Sequence, residues 1–186
     1  SDKKHLKDFR VAIWPTDEMA PVSNEVADRA VMVGQTLSKL GATVSDTARP
    51  NIDLVAAQGN YQTLLNSVMT AGMNDEAVIA AQKVADQFAA DDHSMEAVNA
   101  RSFVLSHRDW LKNNISRERT RLAWSAFFDE WDILICPQMP TAAFPHDHSA
   151  MSGRTLKVDN EDQPYFQQIF WAGMVVVKSE LVPMMS

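Results

Sequence analysis

Ser102, Ser106, His107 and Asp109 place hydroxyls, an imidazole and a carboxylate within about two helical turns. These are the groups from which an activated serine nucleophile is built. On a helix, residues 102, 106 and 109 share a face while His107 points elsewhere, and no strained strand-to-helix turn presents the serine. His146-Asp147-His148 sets two imidazoles at i and i+2, one face of a strand, as metal ligands require. With no Cys or further His close by, and in a Pro-rich loop, this stretch reads as a solvated loop. Cys136 follows Ile133-Leu134-Ile135, where a thiol serves packing rather than reactivity. Asp91-Asp92 and Asp159 to Asp162 carry oxygen ligands of the kind cations take, but such short acidic runs read first as turns. The six glycines, at 34, 41, 59, 72, 153 and 173, are dispersed, so no tight Gly-rich turn offers backbone N–H groups to an oxyanion. The sequence therefore assigns no catalytic residue, no metal ligand and no cofactor.

The elements that would position these groups follow from periodicity. Phe9 to Trp14 alternates and is β-prone, and Pro15-Thr16-Asp17 ends it. Ser23 is placed as the N-cap of a helix with Val26, Ala30, Val33, Leu37 and Leu40 on one face and Gly41 as its stop. Ala42 to Ser45 reads as a second strand, so strand, helix and strand make a right-handed parallel βαβ unit. Asn51 to Leu111 reads as helical. One stripe is Leu54, Gln58, Tyr61, Leu65 and Val68, ended by Gly72; a second is Val78, Ala81, Ala85 and Phe88; a third is Ala97, Val104 and Leu111. Ser116 is expected to cap a further helix through Leu122, Ala123, Ala126 and Phe127. The uninterrupted apolar run Ile133–Cys136 predicts a strand buried on both faces. The loop Pro137 to Gly153 follows it, then a short edge strand, Thr155 to Val158, then a last helix with Pro164 in its first turn and Phe166, Ile169, Phe170 and Gly173 facing inward. Val175–Val177 and Leu181–Pro183 look like sheet material at the tail, which reads as truncated. The aromatics Trp124, Phe127, Phe128 and Trp131 are expected in the core.

Composition narrows the function classes. The 186 residues carry 17 Lys and Arg against 24 Asp and Glu, a formal charge of −7. That balance disfavours nucleic acid and anionic membrane surfaces, both of which want clustered cations. A single cysteine precludes an internal disulfide and fits a cytoplasmic location. No apolar run approaches the ~18 residues of a membrane span. Residues 1–8 are polar and lack an initiator Met, reading as a processed or expression-derived, disordered end. Residues 9–186 are expected to form a single α/β lobe.

The stretch Trp124 to Pro140, W-S-A-F-F-D-E-W-D-I-L-I-C-P-Q-M-P, resembles the late part of amidase-signature enzymes. Phe9–Trp14, the helix after it and the Leu-Gly-Ala-Thr-Val-Ser-Asp segment at residues 40–46 resemble that family's βαβ portion beyond the catalytic core. Ser106–Trp110 with Arg119, Leu122 and Trp124, and then Gly153–Leu156, Gln163–Tyr165 and Phe170–Gly173, agree in order. The resemblance spans roughly residues 9–174. It implies an α/β fold: a mixed sheet with a parallel βαβ unit and packed helices, similar to the C-terminal half of the amidase signature fold. It also implies amide hydrolysis by a Ser nucleophile, a second Ser and a Lys in a Gly- and Ser-rich core that this chain does not contain.

On that resemblance the loop Pro137–Phe144 lies near the acyl pocket, with Pro137, Met139, Pro140 and Phe144 as its apolar wall. The expected function is a fragment of an amide hydrolase that supplies pocket wall without the catalytic residues. Its partner is either the catalytic half or a second copy of itself. The alternatives are a small stand-alone esterase or amidase with a Ser/His site, and a non-catalytic binding or structural module.

Overall fold

The computed structural model describes residues 3–92, 94–150 and 153–176. They fall into two compact units, one of residues 1–51 with 123–186 and one of Ile52–Leu122.

The first unit is built on a three-stranded parallel sheet in the order β2–β1–β3. β1 (Arg10–Ile13) pairs with β2 (Thr43–Ser45), Val11 facing Val44, and with β3 (Ile133–Ile135), Ala12 facing Leu134. These are the three strands the sequence predicts, and the expected βαβ unit is present, but β3 is not buried on both faces: as an outer strand among the described residues it leaves Ile133 exposed and Leu134 and Ile135 half-buried. The helix between β1 and β2 is α1 (Asn24–Lys39). Alternation along β1 feeds two packing layers. Val11 and Ile13 join Ala30, Ala42, Leu37 and Ile135 in one apolar cluster. Trp14 meets Trp171 edge-on at 5.8 Å. Gly34 lets α1 lie close on the sheet, because a Cβ there would come within 2.8 Å of Ile13 Cγ1.

The buried face of α1 is Ala30 and Gly34, not the full predicted stripe. Val33 and Leu40 are exposed. Small residues win these positions because they allow the close approach that bulky ones would prevent. Ser23 does occupy the N-cap position, but its side chain makes no capping bond. Asp159 caps from a distance instead, accepting from Asn24 N at 3.1 Å and Asn24 Nδ2 at 2.9 Å. Asp159 has a positive φ of 52° at the tip of a hairpin. That hairpin joins β4 (Thr155–Val158) to β5 (Glu161–Pro164), antiparallel. Glu161 and Asp162 thus belong to a strand rather than to a solvated acidic turn.

Pro164 ends β5 and precedes a 3-10 turn, Tyr165–Gln168, which leads into α6 (Ile169–Val176). Val175 and Val176 therefore continue a helix, contrary to the strand expected of them. The buried side chains Phe170, Trp171 and Met174 hold that helix in place, and such tertiary burial overrides the weak β preference of valine. Phe166, expected to face inward, is exposed. Val177 and Leu181–Pro183 lie outside the described residues.

The second unit is helical: α2 (Leu54–Thr70), α3 (Asp75–Ala85), α4 (Met95–Ser102) and the start of α5 (His107–Glu130). Asp53 and Asn74 cap α2 and α3 through their side chains, as short acceptors at N-caps do. Val78, Ala81, Ala85 and Phe88 are the less exposed side of α3, as predicted. The third stripe is divided, since the helix of Ala97 stops at Ser102 and Leu111 lies on α5. Ser116 does not start a helix; it lies inside α5. The start is at Ser106, whose Oγ accepts from Asp109 N at 3.1 Å. Among the described residues no helix is long and apolar enough to cross a membrane.

Candidate functional site

The parallel strands deliver the chain to loops at their C-terminal ends, where ligands of parallel sheets usually bind. After β1, the loop through Asp17 and Ala20 is pinned from several sides. Val22 N donates to Thr16 Oγ1 at 3.2 Å, and Met19 N donates to Asp17 Oδ1 at 3.0 Å. Trp171 Nε1 donates to Ala20 O at 3.3 Å, and Gln167 Nε2 donates to Met19 O.

After β3, Trp14 N donates to Ile135 O at 2.8 Å, and Ser23 N donates to Pro140 O at 2.7 Å. The second bond fixes the exit of β3 to the residue before α1. Pro137 and Pro140 are buried, Met139 is half-buried and Phe144 is 40% exposed. The four sequence-predicted wall residues therefore occupy one loop with a graded exposure, anchored by its prolines and open at its phenylalanine. Cys136, at the strand exit, has its thiol pKa pushed up by burial, which keeps it protonated and unreactive.

Phe144 brings in residues the sequence did not single out for a site. Its ring meets Tyr165 edge-on at 6.3 Å, and Tyr165 meets Phe166 at 6.0 Å. Arg154 Cζ stands 5.6 Å from the Tyr165 ring centre. Its Nε and Nη2 both donate to Ser149 O, at 3.0 and 2.6 Å, so the guanidinium is held in one orientation. Asp147 closes the same loop by accepting from Ser149 N at 2.8 Å. That bond is the first cause that draws its carboxyl below the ordinary range, and the charge of Arg154 adds to it.

Two concavities of the same unit are lined by other residues. One of about 650 Å³ flanks α1 and includes Thr16, Gly34, Ser38, Asp46 and Arg49. The other, about 520 Å³, includes Ala48, Arg49, Phe127 and Trp131. Arg49 touches both: it covers the Trp14 ring at 4.7 Å and donates through Nη1 to Ile13 O and Ala48 O.

The remaining chemical groups are engaged in structure. Ser106 Oγ donates to Asp109 Oδ2 at 2.7 Å, and Lys112 Nζ donates to Asp109 Oδ1 at 2.6 Å, a reciprocal cap at an exposed helix start. His107 stacks on Trp110 instead of approaching a serine. Ser102 Oγ is buried, donating to Asn99 O at 2.6 Å and accepting from Asn66 Nδ2 at 2.8 Å. His146 and His148 stack on each other at 6.1 Å in an exposed loop. Among the described residues no three His, Cys, Asp or Glu side chains gather as a metal ion would need. The model of the Amidase family matches residues 1–186, and no curated protein matches the chain.

Proposed function

The chain belongs to the amidase family, and from that premise we propose that it supplies substrate-pocket wall to a hydrolase of carboxylic amides whose catalytic serines and lysine lie outside this sequence. The observation that carries this reading is the loop after β3. Its backbone is locked by the Ser23 N–Pro140 O bond, while Met139 and Phe144 keep partial exposure at the C-terminal end of the sheet. Apolar walls with few polar groups are what small-molecule clefts use. The dispersed glycines and the structural use of Ser102, Ser106 and His107 support placing the nucleophile elsewhere.

Two assays test the reading. The purified chain should hydrolyse p-nitrophenyl esters and aryl amides no faster than background, because a serine without an adjacent base and oxyanion donors is a poor nucleophile. Turnover that disappears on Ser102→Ala, Ser106→Ala or His107→Ala would overturn it in favour of a small esterase. In a catalytically complete enzyme containing this segment, Met139→Ala or Phe144→Ala should change the ratio of kcat/KM between small and bulky acyl groups. An unchanged ratio would remove the loop from the pocket.

Association belongs to the same proposal. The outer strands β2 and β3 each pair only with β1 among the described residues, and free strand edges seek partners. The chain should self-associate or bind its catalytic complement. A monomer by light scattering over a wide concentration range, with no binding of that complement, would count against this.

A further inference from the structure

The fifteen Phe, Tyr and Trp residues sort by exposure. Among the described residues every tryptophan and tyrosine is buried or half-buried, and the phenylalanines that are exposed are Phe144 and Phe166. Both are in edge-on contact with the same ring, Tyr165. Two exposed rings gathered on a third offer a ligand an aromatic surface with edge-to-face geometry.

The polar group beside it says what kind of molecule. Arg154 stands against Tyr165 with Nε and Nη2 committed to Ser149 O, and its Nη1 carries no hydrogen bond among the described residues. A ring flanked by a fixed N–H donor fits a ligand that joins an aromatic group to a carbonyl oxygen. Aliphatic groups would gain the burial but not the edge-to-face geometry that aromatic pairs favour. The ring platform is stiff, because Tyr165 opens a 3-10 turn directly after Pro164, at the end of the β4–β5 hairpin.

We propose that Tyr165, with Phe144, Phe166 and Arg154, is a specificity surface that selects amides bearing an aromatic ring on the acyl side. This rests on the pocket-wall reading above and narrows its substrate class.

The test titrates the isotopically labelled chain with benzamide and with cyclohexanecarboxamide, following amide and aromatic NMR resonances. The two probes share the carboxamide and nearly the same bulk, so only the ring character differs. Benzamide should shift Phe144, Arg154 and Tyr165 resonances and bind roughly three- to tenfold tighter. Tyr165→Leu should bring the two affinities together while circular dichroism and Tm stay near those of the parent chain. Should that variant fail to fold, Phe144→Leu, in the exposed loop, serves the same purpose. Equal binding of both probes at the cluster would overturn the aromatic preference and leave the wall intact. Shifts from neither probe at the cluster would overturn both. A preference that survives in Tyr165→Leu and Phe144→Leu would take the selection away from these rings.

Discussion

Between Val11 and Trp14 four consecutive side chains are at most 2% exposed, whereas the whole of α2 buries a single residue, the polar Asn66. The contrast extends to each unit. The sheet-containing unit rests on large apolar side chains, Trp14, Trp124, Phe127, Leu156, Phe170 and Trp171. In the helical unit the buried hydrophobics among the described residues are two alanines, Ala85 and Ala97. Its interior is an amide network: Gln62 Nε2 donates to Asn66 Oδ1 at 3.0 Å, and Asn66 Nδ2 donates to Asn99 Oδ1 at 2.7 Å and to Ser102 Oγ at 2.8 Å. Val55, Ile79, Ile115 and Leu122 meanwhile stay exposed. Apolar burial gives stability in proportion to area. A polar network gives less net energy but fixes one arrangement of helices, since breaking it leaves the buried Asn66 or Ser102 unsatisfied.

The largest effect is expected where the comparison is sharpest. Trp171→Ala removes a fully buried indole, its contact with Trp14 and its bond to Ala20 O. It should cost about 3–5 kcal/mol, read as a lower urea midpoint of the sheet-containing unit. A loss under a third of that would mean that the tryptophan layer is not what holds this unit. Asn66→Ala should destabilise the helical unit by about 1–3 kcal/mol, because Asn99, Ser102 and Gln62 lose a buried partner together. Adding Ser102→Ala should then cost less than Ser102→Ala does alone. Strict additivity in this double-mutant cycle, followed by hydrogen exchange of α2 and α4, would dissolve the network.

Asp159→Ala deletes the long-range cap of α1 and places Ala at a positive φ, with an expected loss of about 1–2 kcal/mol. Asp159→Asn, which accepts a hydrogen bond and tolerates that backbone, should lose less. Equal losses for the two would mean that the carboxylate charge and not the geometry matters.

The smallest effect is a pH limb. Asp132 accepts from Lys3 Nζ and from Arg10 N at 2.7 Å. Its carboxyl is held below the ordinary value first by the Lys3 bond, then by the Arg10 N–H, with both positive charges adding. A carboxyl depressed in the folded state contributes stability above its unfolded value, about 3.9, and loses it as pH falls through the folded value. Thermal melts between pH 5 and 2 should flatten slightly in Asp132→Asn; an unchanged slope would show that the interaction is fully screened.

What the sequence discloses is the part of the fold governed by neighbours along the chain. Phe9–Trp14 and Ile133–Cys136 announce strands by alternation and by an apolar run, and both appear where expected, within a residue or two at their ends. What it conceals depends on residues far apart. Asp159 caps α1 from 135 positions away, so a local reading picks the adjacent Ser23. Ser116 satisfies the same capping rule as Ser106, and only the uninterrupted helix separates them. In the candidate site, Pro137 to Phe144 is legible as a loop after an apolar strand. Its contact with Tyr165 and the role of Arg154 are not, because no periodicity links residues 144, 154 and 165.

The pairing of β1 with β3 has a consequence in time. Arg10 and Asp132, bonded across that pair, are 122 positions apart. A ribosome adding ~5–20 residues each second separates their emergence by on the order of ten seconds. During that interval β1 and β2 can pair, α1 can pack and the helical segment can form, but one flank of the central strand waits empty. Closing so long a loop comes late and slowly in any refolding reaction. The nascent chain thus carries its most buried strand with an open edge through that interval, in which a chaperone or a second nascent copy has its best access to it.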